Sequence, residues 1–557
     1  MPERQRLWSE WIFPSVGVAA FLFVLNYAAV ISGALAPPSG YVPQYVLRND
    51  DMTVYLNWMQ ASRHVWLPHN FSAPWLTADE LFTPILALMG HVSNFMPWSI
   101  VVDYYVLHFL ATIGATLLLI GALRYFLPSR RQRLLAIAVI FCSVPFLSIW
   151  YALAKAFGAS TGISSLGLIE YTYTTADGLV RGGASNSITL TFGTSIVLAA
   201  VLLLAKRIET GGNRWLWAAA GANFASAFFH PFEFAVITGT GCLLFGLEGF
   251  RTRDWRRAIQ HSLLLVGAGV LGLSPYLIQL TRVGWLRDMS TADPVMPTNI
   301  GSVLLMWGMP AFLTVYAPLM RFRPRTPKDE VLAAWCLVAV LLLFAYPPSP
   351  FHLLNGFTYV NAILLVRIGA ADPKARGLLE RNSRPLVACC SAWLLLCAGA
   401  QAATVIQLVR DGRSPDPEML ISAVAPKSEQ ALQQWLRVHA SSDDVVLAPG
   451  LMAAWLTTIP MHGFAAQDNF SISYQNQAKQ SASFYGGEWP AEHAKEFLQQ
   501  YGIRWVVVPL KSSATQYLEE RAPAAVFEDL ALYQLPENHI RPYPGHAGVE
   551  VAALFPK

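Results

Sequence analysis

The sequence Asn49-Asp50-Asp51 carries the strongest chemical signal in the chain, because two carboxylates stand side by side between an apolar run and a helical pattern. Adjacent like charges raise each other's pKa unless a cation or a hydrogen-bond donor compensates. One carboxylate can act as a general base on an attacking hydroxyl, or both can hold Mg²⁺ or Mn²⁺ against a phosphate. An acidic pair also suits simple capping of a helix N-terminus. The base, metal and capping interpretations all stay open at this point.

A second polar motif, His230-Pro231-Phe232-Glu233, lies between two apolar runs. Proline ends a helix, and ionisable groups at membrane depth are costly enough to suggest a function. We therefore predict that His230 and Glu233 bind the phosphate or a sugar hydroxyl of a substrate. The alternative is a polar turn without a ligand.

Arg181 and His352 are weaker candidates for binding a substrate. Arg181 stands in a segment with few basic residues, so it is a candidate for binding a phosphate oxygen, with an ion pair to Asp177 as the alternative. His352 follows a proline-rich turn and is a further donor-binding candidate.

The composition shows what kind of protein must position these residues. Of 557 residues, 54% are hydrophobic and only 13% are charged, and the mean hydropathy is +0.39. Soluble domains carry about 25% charged residues, so an ordinary soluble enzyme and a disordered chain are both excluded. A net charge of +4, without a basic cluster interleaved with aromatics, gives no support for a nucleic-acid partner. The six cysteines all fall in apolar runs without metal-ligand spacing.

Apolar runs of about 20 residues predict a polytopic α-helical membrane protein with about 11 transmembrane helices. The first run resembles a signal sequence but is longer than the roughly 7–15 residues of a signal core, so we expect an uncleaved helix. The predicted spans are 11–35, 99–127, 134–153, 187–205, 215–231, 233–250, 258–280, 300–320, 331–346, 353–371 and 385–407.

Basic residues orient these spans. With the N-terminus in the cytoplasm, the inner loops receive roughly three times as many basic residues as the outer ones, as the positive-inside rule requires. An odd number of spans then places the C-terminal tail outside. We thus expect a transmembrane domain over 1–410, with long outer loops at 36–98 and 154–186, and a soluble periplasmic α/β domain over 411–557.

Both outer loops exceed the usual 12–15 residues, so we expect them to carry function. The first loop shows helical patterns at 51–66 and 82–96, and we predict that these helices lie at the membrane surface, with Asn57 on a polar face. In the tail we predict strands at 444–448 and 503–509, a helix at 492–501 closed by Gly502, and an edge strand at 530–535.

Taken together, the chain resembles the GT-C superfamily of membrane glycosyltransferases, and bacterial members in particular. The resemblance rests on the first helix and on Asp50-Asp51 ahead of MTVYLNWMQ in a long outer loop. It also rests on LFTPILALMGHVSNFM, on the HPFE turn, on PSPFHLLNGFTYVNAILLV and on the outer α/β tail.

This resemblance implies an inverting hexosyl- or pentosyltransferase of the bacterial inner membrane. The sugar would come from a polyprenyl-phosphate carrier and pass to a saccharide, lipid or protein acceptor of the cell envelope on the outer face. Asp51 would be the base and Asp50 its neighbour, while Asp177 or Glu170 would fill the role of a second acid. A divalent cation, Mg²⁺ or Mn²⁺, would be held by Asp50, Asp51 and Asp177. The rival hypotheses are a transporter or flippase for lipid-linked saccharides and a non-catalytic assembly protein.

Overall fold

The computed structural model describes residues 11–46, 50–68, 71, 83–141, 188–282, 326–345, 356–371, 383–415, 422–459, 461–465 and 474–536. The chain forms two compact units. The first comprises Met1–Tyr27, His108–Pro275 and Ala292–Gln407, and the second comprises Ala28–Leu107, Tyr276–Thr291 and Leu408–Lys557. Each unit is built from segments that are distant in sequence.

Helices account for most of the described chain. They are α1 Phe13–Asn26, α2 Ala28–Leu35, α3 Asp50–Ala61, α4 Pro84–Ser93, α5 Ile100–Phe126, α6 Arg130–Phe141, α7 Ile188–Thr210, α8 Asn213–Phe229, α9 Glu233–Thr252, α10 Trp255–Arg282, α11 Pro327–Ala345, α12 Phe357–Ala371, α13 Ser383–Asp411, α14 Lys427–His439, α15 Leu451–Leu456, α16 Tyr474–Gly486 and α17 Ala491–Gln500. The predicted run 300–320 lies outside the described residues, and each of the other ten runs coincides at least in part with a helix.

Five of the described helices are long and apolar enough to cross a membrane: α5, α9, α10 and most of α7 and α13. The count becomes six if α1 and α2, which meet at an angle of 67°, form one broken span. Helix α11 is not among them because its first turn carries Lys328, Asp329 and Glu330. The figure of eleven spans therefore stays a prediction.

The first unit packs around α7. Leu204 and Ala205 of this helix are fully buried, together with Phe245 of α9 and Ala339 of α11. One buried cation of this unit has two polar neighbours. Fully buried Arg207 of α7 lies 3.1 Å from His261 Nδ1 and 3.4 Å from the Glu248 carboxylate. Paired ionisable side chains in apolar surroundings are expected, since an unpaired buried charge is strongly destabilising.

The second unit joins the first outer loop to the tail. Strand β1, Tyr41–Pro43, pairs antiparallel with β2, Val424–Pro426. Beside this ribbon, a Cβ at Gly412 would lie 2.2 Å from the carbonyl oxygen of Ala29, so only glycine permits the observed approach of the two backbones. The loop after the first helix and the segment after α13 therefore form one structure.

The tail contains a five-stranded sheet. Its strands are β3 Val445–Leu447, β4 His462–Phe464, β5 Ile503–Pro509, β6 Ala525–Phe527 and β7 Leu530–Gln534, in the order β4-β3-β5-β7-β6. Strands β4, β3 and β5 are parallel to one another. Strand β7 pairs antiparallel with β5, and β6 pairs antiparallel with β7.

Successive residues of the central strand β5 face two separate cores, with Val506 in one and Trp505 and Val507 in the other. The predicted buried strand at 503–509 is thus confirmed, as is the left-handed Gly502, with φ +60°, that follows α17. The predicted edge position of β7 is wrong. A two-residue turn at Glu528, where φ is +47°, folds β6 back along it, and β6 forms the edge.

Candidate functional site

The acidic pair opens a buried helix. Helix α3 begins at Asp50, so Asp50 and Asp51 both stand in its first turn, where the helix dipole favours negative charge. The side chains of these two aspartates lie outside the described part of the structure. The helix itself is fixed by packing, because α4 and the tail helix α15 both contact it.

Helix α3 is buried on more sides than its sequence predicts. Met52, Leu56 and Met59 are buried, and so is Asn57, which is fully inaccessible. The prediction that Asn57 lies on a polar face of a surface helix is therefore wrong. Helix α15, some 400 residues later in the chain, contacts α3, and a contact of this kind cannot be read from the periodicity of α3 alone.

Helices α3 and α4 approach each other closely at Gly90. A Cβ at this position would lie 2.5 Å from the carbonyl oxygen of Met59 and 3.0 Å from Cβ of Ser62. The helix predicted over 82–96 begins at Pro84, so the proline stands in its first turn, where no intrahelical N–H bond is lost. The absence of a side chain at Gly90 sets the distance between the acid-bearing helix and its neighbour.

Sequence analysis missed an ion pair in the second unit, between Arg63 and Asp103. The Nη2 atom of Arg63, just beyond the end of α3, lies 3.5 Å from the buried carboxylate of Asp103, and Nε of Arg63 donates to Ser93 Oγ at 3.2 Å. His91 Nδ1 lies 3.0 Å from the Arg63 carbonyl oxygen.

In the first unit, the HPFE motif forms a compact buried pair. Helix α8 ends at Phe229, and His230 has an extended backbone, with φ −150° and ψ 91°. Helix α9 begins at Glu233, and both carboxylate oxygens of Glu233 lie 2.7 Å from His230 Nδ1. The exposed fraction is 6% for His230 and 1% for Glu233. The structure thus joins two residues that the sequence predicts to act together.

Gly193 of helix α7 packs against the His230–Glu233 pair. A Cβ at Gly193 would lie 2.3 Å from Glu233 Oε1 and 3.1 Å from His230 Nδ1. Sequence analysis missed Gly193. A glycine inside a helix lowers helix stability by about 1 kcal/mol relative to alanine, so its presence in an apolar helix indicates close packing at that position.

A second histidine is anchored to the same helix. His108 of α5 is buried, its Nδ1 is hydrogen-bonded to the hydroxyl of Tyr27, and its Nε2 lies 3.0 Å from Thr191 Oγ1. Thr191 precedes Gly193 by two residues, so the first turns of α7 carry contacts to two buried histidines. Sequence analysis missed His108. The signal that could have identified it is an ionisable residue within an apolar run.

The remaining candidates are not described. Asp177, Arg181, His352 and Glu170 lie outside the described residues, as do the side chains of Asp50 and Asp51. Within the described residues, no group of three or more His, Cys, Asp or Glu side chains is arranged to hold a metal ion. The acidic pair belongs to the second unit and the His230–Glu233 pair to the first.

Comparison with known proteins gives similarity to solved structures only. Neither protein-family models nor curated proteins match the chain. The structure is similar to the oligosaccharyltransferase of Archaeoglobus fulgidus tethered to an acceptor peptide, with a TM-score of 0.44 and 13% identity over 91% of this chain and 70% of that one. A second similar structure is the same organism's AglB with an inhibitory peptide and dolichol-phosphate, with a TM-score of 0.42 and 13% identity over 89% and 69% of the two chains.

A third similar structure is the Archaeoglobus fulgidus oligosaccharyltransferase in complex with Zn and sulfate, with a TM-score of 0.41 and 14% identity over 89% of this chain and 68% of that one. These oligosaccharyltransferases are GT-C enzymes, the superfamily that the sequence of this chain resembles.

Proposed function

We propose that this protein is an integral membrane glycosyltransferase. It transfers a hexose or pentose, with inversion, from a polyprenyl-phosphate carrier to a saccharide, lipid or protein acceptor of the cell envelope. The reaction takes place on the outer face of a bacterial inner membrane. The acceptor oxygen attacks the anomeric carbon, Asp51 takes the proton of the acceptor hydroxyl, and the bond to the carrier phosphate breaks with its electron pair leaving on the phosphate.

The observation that carries this proposal is the placement of the two acids at the start of α3. A general base must be ionised and held still. The N-terminal end of a helix favours the ionised carboxylate, and burial of α3 between α4 and α15 holds the helix in place. Capping alone does not require a helix enclosed on several sides.

The β1–β2 ribbon supports the proposed orientation. Residues 41–43 follow the first apolar run and residues 424–426 follow the last, and their backbones are hydrogen-bonded to each other. Two segments that pair in this way must lie on the same side of the membrane, so the chain crosses it an even number of times between them. Together with a cytoplasmic N-terminus, this supports the proposal that the first outer loop and the tail both lie outside.

The geometry of a helix favours the base over a shared metal ion. Consecutive helical positions are about 100° apart around the axis, so Asp50 and Asp51 stand on different sides of α3. A divalent cation held by Asp50, Asp51 and Asp177 is the second version of the proposal. In both versions His230 and Glu233 bind the donor, and Arg181 and His352 are proposed to assist at its phosphate.

The experiment compares Asp51→Asn with wild-type protein in nanodiscs. The substrates are a panel of polyprenyl-phosphate hexoses and pentoses with a cell-envelope extract as acceptor, and the product measured is released polyprenyl phosphate. Loss of a general base lowers the rate by about 10²- to 10⁴-fold. Glu492→Gln is the matched control, because Glu492 is an exposed acid in the first turn of α17 and its substitution should leave the rate unchanged.

Equal rates for wild type and Asp51→Asn across the panel would reject Asp51 as the base. Full activity in EDTA would reject the metal version and leave the base version standing. The transporter hypothesis predicts instead that labelled lipid-linked sugar changes leaflet without release of polyprenyl phosphate. Arg207, the fully buried cation of α7, stands three residues before the end of that helix, whereas a transporter places its charges near the middle of the membrane.

A further inference from the structure

Two short segments of the second unit expose apolar side chains, one directly after α3 and one directly after α4. Phe95 is 89% exposed, and Trp66 and Trp98 are each 51% exposed. The apolar patch is defined here as Val65, Trp66, Leu67, Leu88, Phe95 and Trp98, all of them exposed. Large aromatic side chains gain much free energy on burial, so several of them left exposed together indicate a contact surface.

Contacts of Arg63 and Trp66 bring the two segments side by side. The carbonyl oxygen of Arg63 accepts a hydrogen bond from Nδ2 of Asn94 and lies 3.0 Å from Nδ1 of His91. The ring centroid of Trp66 lies 4.2 Å from that of His91, in the last turn of α4. Because Phe95 follows Asn94 directly, the exposed side chains of both segments belong to one surface.

The apolar patch adjoins the end of a helix that is long and apolar enough to cross a membrane. Helix α5 begins at Ile100, two residues after Trp98. No Asp, Glu, Lys or Arg stands between Asp103 and Arg124 in this helix. At about 1.5 Å per residue, these two residues lie roughly 30 Å apart, which matches the thickness of the hydrocarbon core. A hydrocarbon boundary near Asp103 puts the apolar patch at the level of the lipid headgroups.

The surroundings of the apolar patch favour lipid as its occupant. Apolar exposure continues from the patch along α5, where Val102 and Leu110 are exposed. The charge nearest to the start of this helix is withdrawn, since the carboxylate of Asp103 is buried and lies 3.5 Å from Nη2 of Arg63. A surface for a water-soluble partner would not run into the lipid-facing side of a membrane span.

We propose that the apolar patch is a lipid-binding surface, embedded in the headgroup layer of the leaflet that surrounds the start of α5, and that it anchors the end of the acid-bearing helix α3 to the bilayer. Tryptophan is enriched at this depth because its ring is apolar and its indole N–H is polar. The helices α3 and α4 are themselves largely buried in protein, so the segments that follow them make the contact with lipid. The inference does not depend on sugar transfer.

The test places one reporter on the apolar patch and one on the tail, in full-length protein in phosphatidylcholine nanodiscs. In a chain without its native cysteines, Phe95→Cys carries an environment-sensitive fluorophore. Val438→Cys carries the same fluorophore as the matched control, because Val438 is an apolar residue of α14 that is 77% exposed between exposed Arg437 and His439. The two quenchers are phosphatidylcholine spin-labelled near its headgroup and aqueous iodide.

We expect the spin-labelled lipid to quench the reporter at position 95 several-fold more strongly than the one at 438, and iodide to show the opposite order. Quenching by iodide equal to that at 438 would show that the apolar patch faces water and would overturn the inference. Protection from both quenchers would show that protein covers the patch, such as a second copy of this chain, and would overturn it as well. Leu67→Cys repeats the measurement on the segment after α3, so a local disturbance at Phe95 does not decide the result.

A charged variant tests the anchoring. Phe95→Asp combined with Trp98→Asp places two carboxylates in the headgroup layer, while the reporter at Leu67→Cys stays on the unmodified segment. Since charges resist transfer into this layer, we expect several-fold weaker lipid quenching at position 67. Phe95→Leu combined with Trp98→Tyr keeps the apolar character and should leave that quenching unchanged. Equal quenching at position 67 in both double variants would reject the anchoring. Because none of these measurements involves sugar transfer, their failure leaves the proposed function to its own test.

Discussion

The contact at Gly90 gives a quantitative prediction for the helix that carries the acids. Ordinary van der Waals contact begins near 3.4 Å, and a Cβ at Gly90 would lie 2.5 Å from the backbone oxygen of Met59, so α3 and α4 must separate by about 0.9 Å in Gly90→Ala. The neighbouring atom belongs to the backbone and cannot rotate away. Because α3 is a continuous 12-residue helix, the displacement extends to Asp51.

The expected effect on activity is larger than the effect on stability. Overpacking costs about 1–3 kcal/mol, and the better helix propensity of alanine returns about 1 kcal/mol, so the free energy of unfolding should fall by about 0–2 kcal/mol. A displacement of about 1 Å at a reacting group lowers rates by up to about 10²-fold. We therefore expect folded Gly90→Ala to lose most of its sugar-transfer activity.

The assay pairs thermal unfolding in nanodiscs with release of polyprenyl phosphate per folded molecule. Gly114→Ala is the control, since Gly114 lies in α5 with no atom within 4 Å of an added Cβ. If Gly90→Ala transferred sugar as fast as Gly114→Ala, the geometry of α3 would not govern the reaction and the reasoning would fail.

Three further outcomes are expected. Gly412→Ala, whose Cβ would lie 2.2 Å from a backbone oxygen, should release the tail to limited proteolysis, whereas Gly399→Ala, with open space around it, should not. Burial raises the pKa of Tyr485 well above its usual value of about 10. The stability that this raised pKa contributes is therefore complete below pH 10 and is lost as the pH rises toward the folded value. Tyr485→Phe should show a shallower loss of stability in alkaline unfolding followed by tyrosinate absorbance, and an unchanged slope would contradict this. In a chain without its native cysteines, Val42→Cys and Ala425→Cys, which are direct cross-strand partners, should form a disulfide when the protein is oxidised, and two free thiols after oxidation would reject the ribbon.

Local patterns in the sequence predict elements well wherever local physics decides them. The proline that opens α4, the left-handed Gly502 after α17 and the apolar strand β5 all follow from short-range rules. The pairing of His230 with Glu233 can also be predicted from the sequence, because a spacing of three residues across a helix break brings the two side chains together.

Long-range contacts explain what the sequence did not predict. Helix α3, in which Asn57 is buried, contacts α15 from a distant part of the chain, and the inner position of β7 depends on the return of β6 along it. Partners such as Arg63 and Asp103, 40 residues apart, have no spacing rule that joins them. Gly193 is recognisable as a site residue only when the carboxylate that it faces is known.

The ribbon of β1 with β2 and the contact of α15 with α3 have a consequence for biosynthesis. The ribosome completes α3 long before residues 424–456 emerge, so the nascent chain holds this helix without its final cover. Only after residues 424–456 have been synthesised can the acid-bearing helix be enclosed. On the proposed function, a chain that stalls after α13 should therefore be inactive.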